Sequence, residues 1–308
     1  MSVRLITIIL LTMASALAAG EPVNVPGTRV TIDPPDGFVL AADFPGFINS
    51  KLKSTITVVE VPSSFIELTE RYNDESLKRE GIDVRERRQI ERDGLRAIIV
   101  TGVETVGSRR VVKKMMMTGD VAESLIVTAI YRQEDEQRLG DEVDRALQLL
   151  LWDSSRLVDH FEGIGFRLKE IPGLRVATRV SNSVIFTRNG TLPDQYYTGQ
   201  MLIVGWSKDD VSTIENKRAF AEQRFRNVAI LTKVKIDNVA TLNRDGVDGF
   251  EIVGQGTHRY LGYEVAAFQV MLHYRERFLL AQGFADVEDP ESAYDQFRTI
   301  MGTISTDD

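Results

Sequence analysis

Residues 92–102 read RDGLRAIIVTG and residues 244–254 read RDGVDGFEIVG, so an Arg-Asp-Gly turn leading into an apolar run ending at glycine occurs twice. The two stretches lie 152 positions apart, and at the same offset Thr105 meets Thr257 and Ala129 meets Ala281. Asp-Gly favours a tight hairpin turn with positive φ. The runs that follow (Ala97 to Glu104; Phe250 to Thr257) read as strands. A tight turn near Gly107, or Leu261-Gly262, then leads to a strand over Val111–Thr118 or Val265–His273. A last strand covers Ser124–Tyr131 or Arg277–Phe284. Ala266, Phe268, Val270 and Leu272 alternate, as a sheet with one buried face requires. Each copy therefore contains an antiparallel meander.

A helix is expected to close each copy, with Val143, Leu147, Leu150 and Leu151 matching Ala293, Phe297, Ile300 and Met301 on one helical face. Asp289 and Pro290 give the last helix an N-cap and a first-turn proline, and Gly302 suits its end. Upstream of each meander a first hairpin (Arg29 to Pro62; Gly165 to Ser207) precedes a helix near Phe65–Glu80 or Ile214–Leu231. The order β-β-α-β-β-β-α, written twice, predicts two tandem α+β layered sandwiches, each with an antiparallel sheet packed by helices. The expected division is residues 1–20 as a signal peptide, 21–153 as the first domain and 154–308 as the second. The connector DSSRLVDHFE (153–162) lacks proline and glycine, so the domains should touch.

The opening Pro35-Asp36-Gly37-Phe38, the intervening helix, the Asp-Gly turn, the meander and the closing amphipathic helix together resemble the PsbP-like superfamily, named for an extrinsic subunit of photosystem II. Pro172-Gly173-Leu174 is the echo in the second copy. The resemblance covers both copies and implies an α/β sandwich in a mostly non-catalytic accessory or binding protein. Exported bacterial relatives of this kind are often lipoproteins, and this chain lacks the cysteine they need.

Composition limits the function further. Met1–Arg4 followed by the apolar Leu5–Leu17 and Ala16-Leu17-Ala18 reads as an export signal with its cleavage site, which implies a periplasmic or secreted protein without a transmembrane segment after cleavage. The chain has no cysteine, so thiol nucleophiles and thiolate metal sites are excluded. A net charge of −8 argues against nucleic-acid binding.

Candidate chemistry is sparse. Only three histidines occur. His160 lies in the connector, while His258 and His273 sit at opposite ends of a hairpin, over about 30 Å apart at 3.3 Å per residue. No nucleophile elbow, zincin motif or phosphate loop is present, and no cofactor or metal is expected. Asn189-Gly190-Thr191 reads as a turn, and Met115-Met116-Met117 as core filling on alternate faces of a strand. Two features stand out. Arg85, Arg87, Arg88 and Arg92, with Arg109, Arg110, Lys113 and Lys114, form either a positive edge or the charged guard of an edge strand. The segment Thr187–Gly199 (TRNGTLPDQYYTG) lengthens a hairpin of the second copy and carries Tyr196-Tyr197. The expectation is a non-enzymatic exported binding protein contacting an envelope protein or small ligand through Tyr196, Tyr197, Arg87, Arg109, Arg110 and Lys113. The alternatives are a carboxylate-based hydrolase of envelope polymers, or a carrier holding a small apolar ligand in a closed pocket between the domains.

Overall fold

The computed structural model describes residues 21–92, 95–153, 155–191, 199–207, 214–274 and 277–306; Tyr196, Tyr197, Asp93-Gly94 and the leader lie outside the described residues. The first half runs β1 (Val23–Asn24), β2 (Val30–Ile32), β3 (Val39–Leu40), β4 (Gly46–Asn49), β5 (Ser54–Val61), α1 (Phe65–Arg71), α2 (Asp74–Arg79), β6 (Ile82–Arg92), β7 (Leu95–Val106), β8 (Arg109–Gly119), β9 (Ser124–Arg132), α3 (Glu136–Leu149) and β10 (Leu151–Trp152). The second runs β11 (Phe166–Arg167), β12 (Arg175–Val180), β13 (Ser183–Thr187), β14 (Met201–Trp206), α4 (Lys217–Arg226), β15 (Leu231–Arg244), β16 (Val247–His258), β17 (Glu264–His273), β18 (Phe278–Asp286), α5 (Pro290–Met301) and β19 (Ser305–Thr306).

Each half builds a seven-stranded antiparallel sheet, in the orders β3-β4-β5-β9-β8-β7-β6 and β12-β13-β14-β18-β17-β16-β15. Position by position the two orders are the same, and the molecule is two tandem copies of one α+β layered sandwich. Each sheet has seven strands where the sequence pattern supplied five. Long edge strands end at Arg92 and Arg244, and another short strand joins each first hairpin.

The turn chemistry is as the residues dictate. Asp245 and Gly246, at φ of 51° and 85°, connect the directly paired Arg244 and Val247, a two-residue turn of the type I′ kind. The proline-glycine motifs also act alike. Gly37 and Gly173 take φ of 78° and 89°, and the next residues, Phe38 and Leu174, enter the core.

The repeat offset changes within the meander. Thr105 pairs with Arg110 across a two-residue turn, whereas Thr257 pairs with Glu264 across residues 259–263. From there on Ser124 corresponds to Phe278 and Glu136 to Pro290, an offset of 154. Ala129 is therefore the counterpart of Gly283 and not of Ala281. The helix match moves with it: Leu139, Val143, Ala146 and Leu147 are the buried counterparts of Ala293, Phe297, Ile300 and Met301. Leu151 leaves that face altogether; it lies in β10 and is 55% exposed.

Helices cover both faces of each sheet. Val112, Met116, Val127 and Val143 share one core beneath α3. Met115 and Met117, on the opposite face of the same strand, join Phe65, Leu68 and Leu77 beneath α1 and α2. Ala266, Phe268, Val270 and Leu272 pack under α5, while Ala267 and Met271 face Ala221 and Phe225 of α4. The single helix expected over 65–80 is two, because Asn73 caps a new start by accepting from the Ser76 N–H. Ser64 forms a reciprocal capping box with Glu67 at the first start.

The ends of each half are tied together. Val30 of β2 pairs with Trp152 of β10, and Phe166 of β11 pairs with Thr306 of β19.

Candidate functional site

Several charged side chains meet in an open cleft of about 480 Å³ between the two halves, lined among others by Arg29, Glu60, Glu123, Arg156, His160 and Arg179. Arg29 sits immediately before β2, Glu60 in β5, and Glu123 in the turn entering β9. Arg29 Nε donates to Glu60 Oε1 at 2.7 Å, and its two terminal nitrogens reach the Glu123 oxygens at 2.8 and 2.6 Å. Glu60 also accepts the Arg29 backbone N–H and, at 2.6 Å, the Trp152 indole N–H. Burial works against the Arg29 charge, but the bonds to Glu123 and Glu60 outweigh it and displace its pKa upward. The guanidinium also lies over the Trp152 ring, 5.3 Å from its centroid.

Across the cleft, Arg179 of β12 is buried and, among the described residues, its guanidinium donates to the carbonyl oxygens of Ser181 and Glu162. Desolvation lowers its pKa to about 10, with Glu162 and Asp159 acting in the opposite sense. Glu162 in turn accepts from the Gly27 N–H of the first half at 2.9 Å. A Cβ at Gly27 would lie 2.2 Å from Arg179 Nη1, and its φ is 71°, so glycine is required for the halves to meet this closely. His160 is held between them with Nδ1 buried and without a hydrogen bond.

This lining bears on the alternatives. A cleft open to solvent and bounded by arginines and glutamates is not the closed apolar pocket a carrier needs. Among the described residues, hydrogen bonds that favour the charged form displace the titration of Asp120, Asp153, Asp159 and Glu222 downward. Among the described residues no group of three or more His, Asp or Glu could hold a metal ion. His273 is buried against Phe250 at the far end of β17 from His258.

The basic residues selected from sequence are dispersed. Arg87 donates to Asp74 at 2.9 Å and to the Tyr72 carbonyl at 2.7 Å, locking β6 to the α1–α2 junction. Arg85 pairs with Glu136 on the opposite face, and Arg88 and Lys114 both approach Asp144 of α3, at 2.7 and 2.8 Å. Lys113 lies 3.4 Å from Glu104. Arg109 and Arg110 are exposed without an ion pair among the described residues, beside the β7–β8 turn in a hollow shared with Arg132 and Glu134. Asn189-Gly190 forms a turn, with Gly190 at φ 71°, beside a second hollow of about 380 Å³ bounded by Arg188, Gln200, Asp286, Asp289 and Gln296. Nothing in sequence announced the Arg29 clamp, since its hydrogen-bonded side chains stand 31 to 94 positions apart.

Acidification should destabilise the protein. Burial lowers the pKa of His160 and of His273, so the unfolded chain takes up protons before the native state does as pH falls through the ordinary histidine range. The lowered carboxylates add stability that is present above the ordinary carboxylate range and lost as pH falls through it. Denaturant titrations from about pH 7 to pH 4 should show a steady fall in midpoint, and replacing His160 and His273 by glutamine should flatten its upper part.

No protein-family model matches the chain, and no curated protein matches it. Among solved structures, a Pseudomonas aeruginosa protein of unknown function aligns over 45% of this chain and 94% of its own at 14% identity and a TM-score of 0.32. The solution structure of cyanobacterial PsbP from Synechocystis sp. PCC 6803 aligns over 47% and 99% at 8% identity and a TM-score of 0.34. The apo structure of the T6SS immunity protein TplEi from Pseudomonas aeruginosa aligns over 92% and 97% at 12% identity and a TM-score of 0.33. These likenesses are too distant to carry an argument about what the chain does.

Proposed function

We propose that the chain is a non-enzymatic binding protein of the cell envelope, exported through residues 1–20, with residues 21–153 and 154–308 as two units of PsbP-like kind. The observation that carries this reading is how the charges of the central cleft are spent. Arg29 is bracketed by two glutamates, one of which also holds Trp152, and Arg179 is sealed against backbone carbonyls. Groups arranged in this way are engaged in holding the architecture. Among the described residues no helix is long and apolar enough to cross a membrane.

Contact with a protein partner is assigned to the Tyr196-Tyr197 segment and to the exposed Arg109-Arg110. The test is capture by the tagged mature chain from native envelope extract, followed by native mass spectrometry. A stoichiometric protein partner supports the reading, whereas turnover of an envelope polymer by the purified chain overturns it. Deleting residues 189–198 should leave the unfolding transition within about 1 kcal/mol of the parent while weakening capture at least tenfold; unchanged capture removes that loop from the interface.

A further inference from the structure

The three arginines of the central cleft are not treated alike. Arg29 has all three side-chain nitrogens on carboxylate oxygens, one on Glu60 and two on Glu123. Arg179 is only 7% exposed, yet no carboxylate bonds to it among the described residues. A guanidinium withdrawn this far from water is ordinarily paired with an acid. Its Nε is spent on the Ser181 carbonyl at 2.9 Å and its Nη1 on the Glu162 carbonyl at 2.6 Å. Those two bonds serve the architecture and leave Nη2 for the cleft that Arg179 lines. The downward displacement of its titration agrees, since desolvation outweighs the attraction of Glu162 and Asp159. Arg156, from the connector, lines the same cleft, and the Glu162 oxygen it approaches stands 3.9 Å away, beyond hydrogen-bond reach. Two cationic groups therefore face one opening without a bonded acid. Val61, Pro62 and the exposed Leu157 give that opening an apolar side.

We propose that the cleft binds a small organic carboxylate, whose oxygens accept from Arg179 Nη2 and the Arg156 guanidinium while its apolar remainder lies along Val61, Pro62 and Leu157. The inference goes beyond the protein contact proposed above and uses none of the residues assigned to it. Guanidinium groups match the planar, two-oxygen geometry of a carboxylate, and a charge-assisted bond to a desolvated donor is among the stronger polar contacts available. A single negative charge suits the site better than the two of a phosphate monoester, because Glu60 and Glu123 share the cleft and Glu162 adjoins Arg179. The volume of about 480 Å³ is that of a small-molecule site. An open cleft suffices because the ligand is anchored by its charge and need not be enclosed.

The experiment titrates the full mature chain, isotope-labelled at its histidine rings, with hexanoate, hexanol and inorganic phosphate in turn at about pH 7.5, where hexanoate is ionised. Ring signals are followed by NMR. His160 lines the cleft and is the reporter, while His258 and His273 lie outside it and are the internal controls. Hexanoate is expected to shift the His160 signal saturably with a Kd of about 1 mM and to leave the controls in place. Hexanol, with the same chain length and no charge, and phosphate should each bind at least about tenfold more weakly. Arg179→Lys should weaken hexanoate about tenfold and Arg156→Gln about threefold. Should Arg179→Lys fail to fold, the comparison of hexanoate with hexanol on the parent chain still decides. Hexanol binding as well as hexanoate overturns the charged anchor, and phosphate binding as well overturns the carboxylate class. A His160 signal that does not move, or three signals that move together, overturns the site. The protein contact stands or falls separately, by capture.

Discussion

Glu60→Ala is expected to lower the unfolding free energy by about 3 kcal/mol. Three donors converge on this side chain: Arg29 Nε, the Arg29 backbone N–H and the Trp152 indole. The Arg29 and Glu60 side chains are each only 16% exposed, so water replaces the lost acceptor poorly. Truncation leaves a guanidinium facing Glu123 alone and an indole N–H without a partner. Glu60→Gln preserves the acceptor for Trp152 but not the charge, and should fall about midway. Glu123→Ala removes the more exposed carboxylate, 32% against 16%, and should cost about 1 kcal/mol. Urea unfolding measures all three, and an effect below about 1 kcal/mol for Glu60→Ala would show that the clamp is screened by solvent.

Phe297→Ala should cost about 4 kcal/mol, and its partner in that prediction is a glycine. Phe297 is fully buried at the centre of the α5 face, and its ring lies against Gly283 so closely that a Cβ there would be 2.5 Å from it. Gly283→Ala alone should therefore destabilise by about 1 to 3 kcal/mol through overpacking. The first half solves the same contact with the opposite sizes, Ala129 under Val143, at the corresponding positions. Transplanting that solution as Gly283→Ala with Phe297→Val should cost less than the sum of the single changes by at least about 1 kcal/mol. Strict additivity in the double-mutant cycle would mean that the two positions do not share a contact.

The same pair shows what the sequence could and could not reveal. Periodicity identified the buried faces of β17 and of α5 because each is internally regular and α5 carries its own cap and stop, Asp289 and Gly302. The alternation of Met115, Met116 and Met117 was equally legible, for a strand leaves no other arrangement. In α3 the apolar residues Leu150 and Leu151 continue past the helix into β10, so a face drawn from periodicity alone sat one turn late. The two extra residues near Tyr260 shift the repeat register without leaving a mark in composition. The charged edge divided by partner: the acids that neutralise Arg85 and Arg88 come from α3, remote in sequence, and the one that meets Arg87 from the neighbouring α2, and no spacing rule connects them to β6. The Arg29 clamp was hidden for the same reason.

The pairing of β2 with β10 and of β11 with β19 has a consequence for how such a molecule could arise. A unit whose chain enters and leaves at neighbouring points can be copied end to end in a gene without rerouting any strand, because the second copy begins where the first one finishes. Neither copy has to open its ladder to admit the other. Sequence drift can then proceed separately in each, so that one copy keeps a short turn while the other lengthens it, with the shared frame unchanged beneath both.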